Sequence, residues 1–206
     1  ISYLGINEGL EIHHQADLPA RSGLGSSSAF TVGLLHALYG LLGKMIPKSE
    51  LAERSIHLEQ KVMKENVGSQ DQVAAAFGGL NRIDFLKDGG FSVRPLTVNI
   101  DQLGKFVNHL VLVYSGIQRT ASNVASLQIK ETPNHRRELT LMYQMVGEAV
   151  EILNGRRDLA DFGKLLHESW LLKRLLTKKI SNGYINEIYD AGIKAGALGG
   201  KVLGAG

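Results

Sequence analysis

The ten residues from Pro19 to Ser28, Pro-Ala-Arg-Ser-Gly-Leu-Gly-Ser-Ser-Ser, combine closely spaced glycines with a run of hydroxyls. Glycines without Cβ let backbone N–H groups approach a phosphate chain, and a helix that follows contributes its positive end. Hydroxyls in a first helical turn can reach a phosphate-bound Mg²⁺. The run is no Walker loop, since G-x-x-x-x-G-K-[ST] is absent, and Ser28 stands where the third glycine of a dinucleotide fingerprint would be. Taken alone, it reads equally as a phosphate site or as a glycine turn with a serine cap before a core helix.

Two carboxylates extend the first reading. Glu59 falls in a helical stretch, and Asp71 follows Asn66-Val67-Gly68-Ser69-Gln70. One carboxylate can hold a metal while the other orients or deprotonates an acceptor hydroxyl, the two tasks of phosphoryl transfer. A solvated helix face is the competing reading for Glu59, and a helix cap for Asp71. Other chemistries fare worse. His13 and His14 are adjacent and point to opposite faces of an extended chain; His57 and Glu59 are two apart; and neither H-E-x-x-H nor G-x-S-x-G occurs.

The elements that must position these groups follow from periodicity. Glu11 to Leu18 reads as a strand entering the glycine loop. From Ser26 to Gly43 apolar residues recur at helical spacing, with the three serines as a cap. Pro47 and Ser49 open a second helix that fades at Asn66 to Gly68, and a helical turn covers Asp71 to Phe77. Leu80 to Leu86 and Phe91 to Val98 flank Lys87-Asp88-Gly89-Gly90 as a hairpin, and His109 to Tyr114 reads as a buried strand. Helices are expected over Ala121 to Ile129, Glu138 to Leu153, Leu159 to Leu176 and Ile185 to Ala195, before a glycine turn and strand start from Leu198 to Gly206. Trp170 with Leu171, Leu172, Leu175 and Leu176 reads as helix core. A soft boundary near Val98 to Lys105 divides the chain into domains over 1–100 and 101–206.

The 206 residues carry 23 basic and 20 acidic side chains, and no block of either sign marks a nucleic-acid or membrane-surface partner. The chain has no cysteine, so disulfides and thiolate metal sites are excluded. No apolar run approaches the roughly 20 residues of a membrane span, and the start shows no signal-type pattern, so the cytoplasm is the expected location. Oligomeric state is not legible.

Three stretches in this order together resemble the GHMP kinases: Pro19 to Ser28, Gly68-Ser69-Gln70-Asp71-Gln72, and Gly199-Gly200-Lys201-Val202-Leu203-Gly204-Ala205-Gly206. Within that family the chain is similar to the bacterial heptose 7-phosphate kinases, also through Ala76-Phe77-Gly78-Gly79-Leu80-Asn81 and Gly196-Ala197-Leu198-Gly199-Gly200-Lys201. The resemblance implies an α+β, two-domain fold with an N-terminal ribosomal S5-like part and a C-terminal helix-rich, ferredoxin-like part. Both are expected to be incomplete, with a first motif missing before Ile1 and a last strand after Gly206.

It also implies ATP and Mg²⁺ as cofactors and a sugar phosphate as acceptor, in nucleotide-heptose and surface-polysaccharide biosynthesis. Gly23, Leu24, Gly25, Ser26, Ser27 and Ser28 would wrap the ATP phosphates, Ser27 and Glu59 would hold Mg²⁺, and Asp71 would act on the acceptor hydroxyl. The terminal glycine run, with Gly204, Ala205 and Gly206, would pack near the loop and acceptor, and Arg119 and Ser122 would contact the sugar phosphate. Another sugar 1-kinase of the galactokinase kind, or a nucleotide-binding chain without turnover, is the alternative.

Overall fold

The computed structural model describes residues 1–17, 23–116, 130–177 and 179–203. Helix α1 (Ser26–Leu41) is followed by α2 (Lys48–His57), which runs into a π-helical turn, Leu58–Val62, and then by α3 (Gln70–Phe77). The hairpin β1 (Asn81–Phe85) and β2 (Phe91–Pro95) comes next, then α4 (Ile100–Asn108), α5 (Arg136–Leu153), α6 (Ala160–Leu175) and α7 (Gly183–Lys194).

The first three helices pack on one another through Val32, Leu35 and Leu51, with Leu4, Ile46, Leu58 and Ala76 closing the edges. Pro47 precedes α2 in an extended conformation, as a residue without an N–H donor can at a helix start. The π turn closes with the Met63 amide donating to Leu58 O at 2.8 Å. Lys64 then takes a left-handed φ of 58°. Gln60 Nε2 ties the loop beyond it back to the helix, donating to Val67 O at 3.0 Å and Ser69 Oγ at 3.1 Å.

The hairpin is antiparallel, with Ile83 opposite Val93 and Phe85 opposite Phe91. Its turn uses Gly89 at φ 89°, and Asp84 is paired with Arg82 and Arg94 on one face. A second core gathers Trp170, Leu176, Ile180 and Ile185, with Leu139, Met142, Tyr189 and Val202 against it. Asn99 caps α4 and Asn182 caps α7, each side chain accepting from a first-turn amide. Phe106 of α4 meets Phe162 of α6 edge to face at 4.9 Å.

Several expectations are corrected. Residues 11–17 form no strand and are exposed throughout, and His109 to Tyr114 is likewise extended but unpaired, with Val111 85% exposed. Apolar patterning supplies a strand's side chains, but a strand exists only where another supplies its ladder, and none of the described residues does so. Residues 199–203 also form no strand. The serines do not cap α1: Gly25 occupies the N-cap at φ 72° and no side chain bonds the first turn. The helix expected over Ala121 to Ile129 lies outside the described residues. Among those residues, no helix is long and apolar enough to cross a membrane.

The segment before Lys201 meets α6 backbone to backbone. A Cβ on Gly199 would stand 2.0 Å from Gly163 O and 2.7 Å from the His167 amide nitrogen, and one on Gly163 would stand 2.6 Å from Leu198 Cβ. Gly199→Ala is therefore expected to lower stability by about 1–3 kcal/mol, read from the urea midpoint. Gly147→Ala in the open middle of α5 should instead raise it by about 0.5–1 kcal/mol. Equal effects at the two sites would contradict the packing described.

Lys173, buried on α6, is an uncommon core residue. Burial, with the nearby Lys201 charge acting in the same direction, pushes its ammonium down from 10.5 to about 8. Below about pH 8 the folded chain carries the full penalty of that charge, and between about 8 and 10.5 the unfolded chain binds more protons, so stability rises with pH. Lys173→Met should flatten this rise in urea titrations across that interval.

Candidate active site

Glu59 is 1% exposed, although a glutamate on a helix is ordinarily solvated. The π turn that carries it packs against α1 and α3. Its Oε2 accepts from Ser28 Oγ at 3.0 Å and from Gln72 Nε2 at 2.5 Å. One carboxylate oxygen thus joins the first turn of α1 to the first turn of α3. Its other oxygen, Oε1, and Gln72 Oε1 are both buried without a hydrogen-bond partner.

Asp71, beside Gln72 on α3, faces the glycine loop. A Cβ built on Gly25 would lie 3.2 Å from Asp71 Cγ and 3.3 Å from Asp71 Cβ. One built on Gly23 would lie 3.3 Å from Leu203 O. Both glycines have left-handed φ, 76° at Gly23 and 72° at Gly25, so conformation and space demand glycine together. The loop is held between Asp71 on one side and the terminal segment on the other. Burial pushes the Asp71 carboxyl above its ordinary pKa; a hydrogen bond with Gln70 opposes this, and the Glu59 charge adds to it.

The first turn of α1 begins behind Gly25 with its amides uncapped by any side chain. Those donors and the helix dipole make the turn attractive to an anion. The nearby donor set is carboxylate, amide and hydroxyl oxygen, with two buried oxygens still lacking partners; such hard oxygen ligands fit Mg²⁺. Among the described residues, no cluster of three or more His, Asp or Glu side chains could hold a metal alone.

Of the residues expected from sequence, Gly23, Gly25, Ser28, Glu59 and Asp71 converge here. Leu24 and Ser26 are half-buried in the same loop, and Ser27 is exposed, its carbonyl accepting from Thr31 Oγ1 at 3.2 Å. It is Ser28 whose hydroxyl reaches Glu59. Arg119, Ser122, Gly204, Ala205 and Gly206 lie outside the described residues. Gln72 was not anticipated as a partner of Glu59; its signal was the thirteen-residue separation that places it one step after Asp71.

Residues 1–79 match the family described as GHMP kinases N terminal domain. The chain is 29% identical over 197 residues to a D-glycero-alpha-D-manno-heptose 7-phosphate kinase of Campylobacter jejuni, covering 95% of this chain and 58% of that protein. It is 27% identical over 206 residues to a mevalonate kinase of Pyrococcus horikoshii, covering 96% of this chain and 57% of that one. A crystal structure of a D-glycero-D-manno-heptose 1-phosphate kinase from Bacteroides thetaiotaomicron superimposes with TM-score 0.63 at 29% identity, over 92% of this chain and 53% of the other. The chain thus spans little more than half the length of these relatives.

The Glu59 junction has a measurable worth. Glu59→Ala leaves the Ser28 hydroxyl and Gln72 amide buried without their acceptor and should cost about 2–3 kcal/mol. Glu59→Gln, which keeps an acceptor oxygen, should cost less, with urea midpoints giving both values. Equal losses would show that the carboxylate serves only as volume.

Proposed function

We propose, for a chain that belongs to the GHMP kinases, that it transfers the γ-phosphoryl group of ATP to the C1 hydroxyl of a heptose 7-phosphate. The observation that carries this reading is the meeting of Gly23 and Gly25 with Asp71 on one side and Leu203 on the other, at the uncapped start of α1. The similarity to a heptose 7-phosphate kinase supports the choice of acceptor.

In this reading the amides from Gly23 to Ser28 and the α1 N-terminus hold the ATP phosphates. Ser27 and Glu59 would hold Mg²⁺, which when bound neutralises charge on the phosphates. Asp71 takes the hydrogen bond of the acceptor hydroxyl and receives its proton. A bond forms between that oxygen and the γ-phosphorus, the bond from the γ-phosphorus to the β–γ bridging oxygen breaks, and ADP leaves. Catalysis is then positioning and electrostatics, with no covalent enzyme intermediate.

Arg119 and Ser122 are assigned to the sugar phosphate, and Gly204, Ala205 and Gly206 to the acceptor side of the loop. The same reading divides the chain into an N-terminal domain over 1–100 and a C-terminal one over 101–206, with α4 at the junction. It places the protein in the cytoplasm, where ATP and sugar phosphates are available.

The test is ADP release by the purified protein with Mg-ATP and heptose 7-phosphate, with galactose as the competing acceptor. Asp71→Asn should lower kcat by about 10²–10⁴ while the KM for ATP changes little. Full turnover in that variant would remove Asp71 from the reaction. Preference for galactose would replace the acceptor.

A further inference from the structure

Phosphoryl transfer to a phosphorylated acceptor needs a second anion site besides the loop that holds the nucleotide. The described residues contain one pair of cations placed for it by a different part of the fold. Lys173 lies on α6 between Trp170 and Leu176, which both belong to the second core, and is itself only 9% exposed. Lys201 lies between Gly200, whose Cα packs toward the Tyr189 ring, and Val202, which lies against the same core. Tyr189 packs on that core as well and is hydrogen-bonded to His167 Nδ1 at 2.5 Å. Two amines separated by 28 positions in sequence are thereby brought around one apolar nucleus.

The placement relative to the loop is what gives the pair a use. Two residues beyond Lys201, the Leu203 carbonyl stands against Gly23. The lysine segment and the glycine loop are thus neighbours, while Asp71 closes the loop from the other side. Burying an ammonium is costly, and gathering two of them is more so, unless an anion is there to neutralise them. The physical strain is visible in their titration: burial pushes the Lys201 ammonium below its ordinary value and Lys173 to about 8, where a bound dianion would restore both. Lys201 keeps part of its side chain at the surface, which leaves the pair open to a ligand.

We infer that Lys173 and Lys201 form a binding site for a phosphate monoester dianion beside the glycine loop. This deepens the phosphotransfer reading above and rests on it for the identity of the substrate, but the anion site itself is independent of turnover. The monoester has two sources, the phosphate already on the acceptor or the terminal phosphate of the nucleotide, and the geometry beyond the Leu203 contact favours the acceptor because the loop amides already serve the nucleotide.

The experiment is calorimetric titration of the protein with inorganic phosphate, together with KM values for ATP and for heptose 7-phosphate, in the parent protein, Lys173→Met, Lys201→Met and Lys201→Arg. Met matches the length of Lys without its charge, so Lys173→Met should fold, as circular dichroism will show. Each Met variant should weaken phosphate binding by about 10–100-fold, the loss of one charge-assisted contact, and Lys201→Arg should retain most of it. A rise in the KM for heptose 7-phosphate at constant KM for ATP assigns the site to the acceptor; the reverse assigns it to the nucleotide. Phosphate binding and both KM values unchanged in the two Met variants would overturn the site. Should the protein show no turnover at all, the phosphotransfer reading fails while the phosphate titration still decides the anion site.

Discussion

The buried carboxylate of Glu59 is the interaction on which the arrangement of the first half of the chain depends. A charged oxygen so far from water is tolerated only where strong donors meet it, and here the donors come from two other helices, Ser28 on α1 and Gln72 on α3. The two bonds do more than satisfy the carboxylate. They fix the first turn of α1 and the first turn of α3 against each other, so that Asp71, next to Gln72, is set against Gly25. Removing the charge would free both turns at once. The partnerless Oε1 of the same carboxylate is the part of this junction that remains available to a cation.

The second half reaches the same place by close backbone approach instead of charge. Gly163 and Gly199 let the segment after α7 lie directly on α6, and from there the chain runs through Lys201 to the Leu203 contact with Gly23. Space is the constraint: a methyl group at either glycine would collide with its neighbour. The two halves thus converge on one loop by unlike means. A charge fixes one wall, and the absence of side chains fixes the other.

Much of the helical frame was legible in the sequence because helix formation is a local matter of period and boundary. Pro47, the apolar stripe of α1 and the hairpin turn at Lys87 to Gly90 each announce their element within a few residues. The strands expected over Glu11 to Leu18 and His109 to Tyr114 were not realised among the described residues, since a strand's existence is decided by a partner elsewhere in the chain. At the site, glycine and carboxylate identities were legible through the family resemblance, and their meeting was not. The reading of Glu59 as a solvated helix residue was natural from its type; only the tertiary packing shows Ser28 and Gln72 waiting for it. Lys173 was hidden for the same reason, because a lysine one turn after a tryptophan looks like the polar face of any amphipathic helix.

The π-helical turn from Leu58 to Val62 gives that buried carboxylate its direction. Successive residues of an α-helix step by about 100° around the axis, whereas a turn holding an extra residue slips the phase of everything before it relative to everything after. Leu51 and Ala52 upstream remain in the core while Glu59 is turned inward among them, and Val62 and Met63 downstream emerge at the surface. The acidic group is therefore aimed by a phase slip in the backbone. A lineage that lost one residue there would keep its helix and its glutamate, and have the carboxylate facing water.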